Sequence, residues 1–236
     1  MARTLLSTIL AVWLTFGVGA ATAASPGGAG VLAARRSDWP QWRLPGPLPR
    51  PGHADLEYPP WFIGDWRVSS REEGAPPEET VVWRVRFHPG PGGAVVGDRA
   101  ANASAVGRAL LGDGLREVRD DPTNPNRQMA RLAGDRTLET TVVGRRTERD
   151  PDDPGVFLAD ELVLQVLRGS GDPRISRIET LSRYVRQGEE NAPWIEAEQW
   201  QARYPSPSEG FVAQATGTGH WRLRLDPLPP ESDPAS

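Results

Sequence analysis

The stretch Val81-Val82-Trp83-Arg84-Val85-Arg86-Phe87-His88 sets the class of fold. Val81, Trp83, Val85 and Phe87 fall at every second position, with Val82, Arg84, Arg86 and His88 between them. Successive side chains of an extended chain point to opposite faces, so this run is a half-buried strand. Pro89-Gly90-Pro91-Gly92-Gly93 follows as a turn and leads to a short strand over Ala94–Asp98. Downstream the same period returns. Arg127–Ala133 and Arg136–Gly144 flank Gly134-Asp135, a two-residue hairpin signal. Phe157–Leu167, Arg174–Tyr184, Trp194–Tyr204 and Phe211–Leu225 then succeed one another across loops of Gly, Pro, Asp, Asn and Ser. Strands so closely connected read as an antiparallel meander. With an opening strand at Asp65–Ser70 the chain holds about eight to ten strands, a number that suits an up-and-down barrel with no exposed edges. A two-sheet sandwich is the alternative.

One interruption is helical. Ala103, Val106 and Leu110 recur at helical spacing within Arg99–Leu111, and Asp98 is placed to cap that helix. The expected fold is therefore mainly β, a barrel with one short helix, spanning residues 58–226.

The ends read differently. Arg3, the apolar run Leu5–Ala20 and the small residues Ala21 and Ala23 form a secretory signal over residues 1–23, with cleavage expected before Ala24. No later segment is apolar enough to span a membrane, so an exported, soluble domain is expected. Residues 24–57 form an arm in which Trp39 and Trp42 stand among Pro40, Pro45, Pro47, Pro49 and Pro51. That proline density favours extended backbone over helix. The two indoles are expected to dock on the domain or on a protein partner at a membrane complex. Residues 227–236 are expected to be disordered.

The 236 residues include 27 basic and 31 acidic groups, a formal charge of −4, and every basic residue is Arg. A mildly acidic chain argues against non-specific binding to nucleic acid or anionic membranes. The absence of Cys excludes disulfides, thiol catalysis and thiolate metal sites. His53, His88 and His220 show no metal-ligand spacing, so no metal and no cofactor is expected. No nucleophile elbow or phosphate-binding glycine loop appears.

Tyr58-Pro59-Pro60-Trp61-Phe62-Ile63-Gly64-Asp65-Trp66 resembles the Gly-x-Trp signature of the lipocalin/calycin barrels. The resemblance implies that Gly64 permits a tight turn into the first strand and that Trp66 plugs one barrel end. Arg222 or Arg224 of the last strand would pack across that indole. The same string, with Gly97-Asp98-Arg99-Ala100-Ala101-Asn102, Asn124-Pro125-Asn126-Arg127-Gln128 and Glu196-Ala197-Glu198-Gln199-Trp200-Gln201, is similar to an uncharacterised family of cyanobacterial and plant chloroplast proteins. That resemblance implies a photosynthetic host, and hence the periplasm or the thylakoid lumen. It implies no catalytic residues.

Glu196, Glu198, Trp200 and Tyr204 share one strand face. If that face is interior, they line a lumen together with Trp66 and Trp83; if exterior, the carboxylates are solvated and the aromatics meet the arm. Asn126 and Arg127 end a turn and are expected to rim the mouth. The reading is a barrel that binds a small apolar ligand, a pigment, lipid or quinone. The alternatives are an interaction or assembly protein of the photosynthetic membrane and, third, a lumenal enzyme with Glu196 or Glu198 as acid/base.

Overall fold

The alternation at Val81–His88 is realised as β2 (Val81–Pro89), which buries Trp83, Val85 and Phe87 and exposes the residues between them. The computed structural model describes residues 30–190, 192–206 and 214–229. The signal segment, Phe211–Ala213 at the head of the last expected strand, and the tail from Pro230 lie outside the described residues.

The other strands are β1 (Gly64–Glu72), β3 (Val95–Gly97), β4 (Leu115–Asp120), β5 (Arg127–Leu132), β6 (Arg136–Arg149), β7 (Val156–Arg168), β8 (Arg174–Gln187), β9 (Trp194–Tyr204) and β10 (Gly217–Pro227). All ten join one antiparallel sheet in the order β3-β2-β1-β10-β9-β8-β7-β6-β5-β4. The first and last strands therefore meet within the sheet, where β10 pairs with β1, Val68 opposite Leu225. A single sheet rules out the two-sheet sandwich. The curl stops short of a full barrel, because the end strands β3 and β4 do not pair with each other; the strap bridges β3 only at Tyr58, whose N–H donates to the Val95 carbonyl at 2.8 Å. The helix expected at Arg99–Leu111, here α2, joins those edge strands and packs on both β2 and β4. A helix, rather than strand pairing, covers the opening.

The expectation of a helix-free arm is corrected at its start. Val31–Ser37 forms a helix, α1, because no proline stands between Pro26 and Pro40. Beyond Pro40 the chain is extended and wraps the sheet. Leu32 and Trp42 pack on the outer face against Val156, Leu158, Leu181, Trp200, Ala202 and Tyr204. The chain then turns round β6, whose residues past Thr141 have no β5 partner. There the Arg145 N–H donates to the Pro49 carbonyl at 2.8 Å. Gly144 is required at this crossing, since a Cβ would stand 2.8 Å from the Leu48 Cβ. Inside the curl, Leu56, Tyr58 and Phe62 join Trp66, Phe87, Phe157, Tyr184 and Ile195 in the main core. A second interior cluster links Ala103 of α2 to Leu115, Leu132, Leu138 and Val163.

Both faces of β7 are thus covered, and Val156 to Glu161 are all buried. That explains why this strand lacks a clean polar alternation. Gly64 enters β1 at φ 119°, as the Gly-x-Trp resemblance implies, and the Trp66 indole N–H donates to the Phe62 carbonyl at 2.7 Å. The expected arginine lid on Trp66 is absent. Arg222 and Arg224 alternate with the inward Trp221, Leu223 and Leu225 and so point outward. Arg224 lies 3.8 Å from the Trp194 ring centroid, and Arg222 pairs with Glu73 at 2.5 Å.

Candidate functional site

Two of the short runs singled out in the sequence converge where α2, β4, β5 and β6 meet the incoming strap. Asp98 caps α2 by accepting from the Ala101 N–H at 3.3 Å. One turn on, Asn102 pins the helix to β2: its Oδ1 accepts from the Arg86 N–H at 2.8 Å and its Nδ2 donates to the Arg86 carbonyl at 3.0 Å. That fixes Arg99 at the helix start, with Nε 3.6 Å from Asp55 Oδ1 and Nη2 4.0 Å from Asp120 Oδ1.

The second run is a turn. Asp121 Oδ1 accepts from the Thr123 N–H at 2.8 Å and the Asn124 N–H at 3.1 Å, and Asn124 Oδ1 accepts from the Asn126 N–H at 2.9 Å. This aims Asn126 inward. Its Nδ2 donates to the Gly52 and Ala54 carbonyls at 3.0 and 3.1 Å, and its Oδ1 accepts from Arg145 Nη2 at 2.8 Å. Arg145 in turn meets Glu161 at 2.6 Å, both side chains being 1% exposed. Gln128 donates to Asp120 Oδ1 at 2.8 Å. Arg127 stays outside, half-exposed, held by Glu139 at 2.8 Å and Asp121 at 3.6 Å. Of the two expected rim residues, Asn126 alone joins the cluster.

The cluster is electrostatically tense. Burial pushes the Glu161 carboxyl up, against the opposing pull of Arg145. Burial likewise raises Asp55, opposed by Arg99 and Arg145. Three buried atoms here make no hydrogen bond: Arg99 Nη1, Asp55 Oδ1 and Glu161 Oε2. The 3.6 Å approach of Arg99 to Asp55 is an ion pair too long to be a hydrogen bond. One donor and two acceptors are therefore left over in a buried site, each at a cost of about 1–3 kcal/mol unless paired. A group that offers both an acceptor and a donor suits them.

The other expected site residues do not share one lumen. Trp66 and Trp83 face the interior core. Trp200 and Tyr204 face outward beneath the arm. Trp200 stacks on His220 at 5.1 Å between centroids. Glu196 is exposed and Glu198 half-exposed on that outer face, the latter 3.5 Å from His220 Nε2. The interior arrangement of these two carboxylates is thereby overturned; the apolar side of β9 is the one carrying Ile195 and Ala197. Trp42 is buried under its own chain, with its indole N–H donated to the Arg35 carbonyl at 2.8 Å.

Asp55, Arg99, Arg145 and Glu161 escaped the sequence reading. The available signal was Asp160-Glu161 standing inside the apolar run Val156–Val163, since carboxylates are rarely buried unpaired. A cleft of about 650 Å³ between α2 and β4–β5 carries Arg108, Arg116 and Arg131, all exposed. No helix among the described residues is long and apolar enough to cross a membrane.

No curated protein and no solved structure matches this chain. Residues 70–221 match the family described as Domain of unknown function (DUF6816), a match that takes in β2 to β9 and α2 and covers more than half of the sequence. The capped helix start, the Asn126 turn and the Arg145–Glu161 pair all fall within it, and the chain belongs to this family.

Proposed function

We propose that the protein is a non-catalytic binding module, exported to the periplasm or thylakoid lumen of a photosynthetic cell, that holds one small molecule with an apolar body and a polar group. Pigments, lipids and quinones have this character. The observation that carries the reading is the set Arg99 Nη1, Asp55 Oδ1 and Glu161 Oε2, buried and without hydrogen-bond partners inside a half-barrel. Apolar walls stand on both sides, the aromatic core on one and the Leu115–Leu138 cluster on the other. Binding sites commonly orient ligands through a few convergent polar groups of this kind. The similarity to cyanobacterial and chloroplast sequences, and the signal-like residues 1–23, support the address.

Native mass spectrometry of protein purified from its own host tests the reading. The expected result is a bound small molecule that is lost in Arg99→Ala, with the fold intact by circular dichroism. A ligand-free protein overturns it. One observation favours assembly instead: Leu56, Tyr58 and Phe62 fill much of the interior, each at most 2% exposed. On that reading the half-barrel is a packed scaffold and its surface does the work. Co-purification of a stoichiometric protein partner with a ligand-free domain would establish it.

A further inference from the structure

The outer face holds a second buried cluster, separate from the first. Glu179 on β8 is 0% exposed and accepts four hydrogen bonds: Arg35 Nε at 2.7 Å, Arg35 Nη2 at 2.8 Å, the Gly46 N–H at 2.9 Å and the Tyr204 hydroxyl at 2.9 Å. Four donors on one carboxylate satisfy its hydrogen-bonding capacity. Asp160 on β7 stands opposite Leu181 of β8, which makes Glu179 its diagonal neighbour on the same face; it is also 0% exposed, and neither of its oxygens has an N–H or O–H donor among the described residues. Two carboxyl groups buried side by side repel as ions, which favours a proton on one of them.

The surrounding charges leave Asp160 as that one. Arg35 from α1 is the guanidinium that bonds this cluster, and it is committed to Glu179 and to the Leu44 carbonyl at 2.8 Å. Arg146 of β6 sits opposite Asp160 in register, but Asp160 receives no hydrogen bond from it. Arg177 of β8 approaches the Pro205 carbonyl at 3.3 Å. Tyr204 of β9 is held neutral, its hydroxyl raised by burial and by Glu179. Glu161 and Arg145 face the other side of the sheet and pair with each other. Burial, then the Glu179 charge, raises Asp160 well above the ordinary carboxylate range.

Among the described residues, the contacts to Glu179 from outside the sheet come from one segment. Arg35, Leu44 and Gly46 touch the cluster, Arg35 stacks 4.3 Å from the Trp42 ring centroid, and the Leu32 N–H is held by Glu148 at 3.1 Å. Lifting residues 31–48 would therefore hydrate both carboxyls at once and let Asp160 ionise, its proton passing to solvent.

We propose that Asp160 and Glu179 hold one proton between them, and that docking of residues 31–48 takes this proton up, so that the arm is fastened by a proton-linked clasp. The sign follows from linkage: the docked state binds the proton more tightly than the undocked state. Docking is firmest below the ordinary carboxylate range and weakens as pH rises through the raised value of Asp160.

Amide hydrogen exchange of the full chain, with protection corrected for intrinsic rates, reads the arm directly. Protection over residues 31–48 is expected to fall as pH rises, approaching about tenfold per pH unit for one linked proton. Asp160→Asn keeps a neutral side chain of similar shape and should leave protection flat and high at alkaline pH. Carboxyl carbon NMR of the unaltered protein provides a check that needs no variant: Asp160 should titrate above the ordinary carboxylate range. Three results overturn the proposal: an Asp160 that ionises within or below the ordinary carboxylate range, arm protection independent of pH, or an unchanged pH slope in Asp160→Asn.

Discussion

Asp160 and Glu161 are neighbours on β7, and both are hidden from solvent, 0% and 1% exposed. They point to opposite faces, and the fold accommodates them by different physics. Glu161 looks into the half-barrel, where Arg145 stands directly across on β6, 2.6 Å away. A guanidinium fixed by strand pairing neutralises it as an ion. Asp160 looks outward to a face where Arg35 is already bonded to Glu179. With two carboxyls and one guanidinium to share, one of the acids stays protonated. The difference teaches that the number of fixed counter-charges, rather than depth of burial, decides whether a buried acid is kept as an ion.

That contrast is most easily broken at Arg145. Arg145→Ala leaves the Glu161 charge and the Asn126 carbonyl oxygen without their donor, and should cost about 3–5 kcal/mol in denaturant unfolding. Replacing Arg145 by Met and Glu161 by Leu together should restore most of that loss, because no unpaired charge then remains. Asn126→Ala removes the bridge between Arg145 and the strap carbonyls and should cost about 1–3 kcal/mol by the same measurement.

Asp160→Asn should behave in the opposite sense. Asp55, Asp160 and Glu161 all lie above their ordinary values in the folded protein. The native state therefore holds protons that the unfolded chain releases. Their contribution is complete below the ordinary carboxylate range and is lost as pH rises through the raised native values. Thermal unfolding across pH should show stability declining toward alkaline conditions. Asp160→Asn should remove its share of that decline and raise alkaline stability by less than the Arg145→Ala loss. The smallest effect is expected from Glu196→Gln with Glu198→Gln, within about 0.5 kcal/mol, since both carboxylates are partly or fully solvated. A large change there would mean that the outer face of β9 does more than cover the arm.

Much of the fold was legible because one-sided strands have period two. The Val81–His88 run, the hairpin at Gly134-Asp135 and the capped helix at Arg99 all appear where expected. The candidate site was legible only at Asn126, through its turn chemistry. Arg145 was hidden by a register shift between Val142 and Gly144, which places Val142 and Arg145, three residues apart, on the same inner face. No alternation pattern reports such a bulge. Glu196 and Glu198 misled for a related reason. Both faces of the central strands are buried, so neither side of β9 looked clearly apolar.

By itself, the sequence determined the β class, the strand positions, the capped helix and the absence of cysteine chemistry, because each depends on residues close together in the chain. Only the tertiary structure decided which face of each strand is interior, that α2 covers the gap between β3 and β4, and that the proline-rich segment straps the sheet. It alone brought Asp55, Asn126, Arg145 and Glu161 to one place, and Arg35 to Glu179 across 144 residues. The physical reason is that burial and charge pairing are set by what lies across a fold, and partners that distant leave no period in the chain.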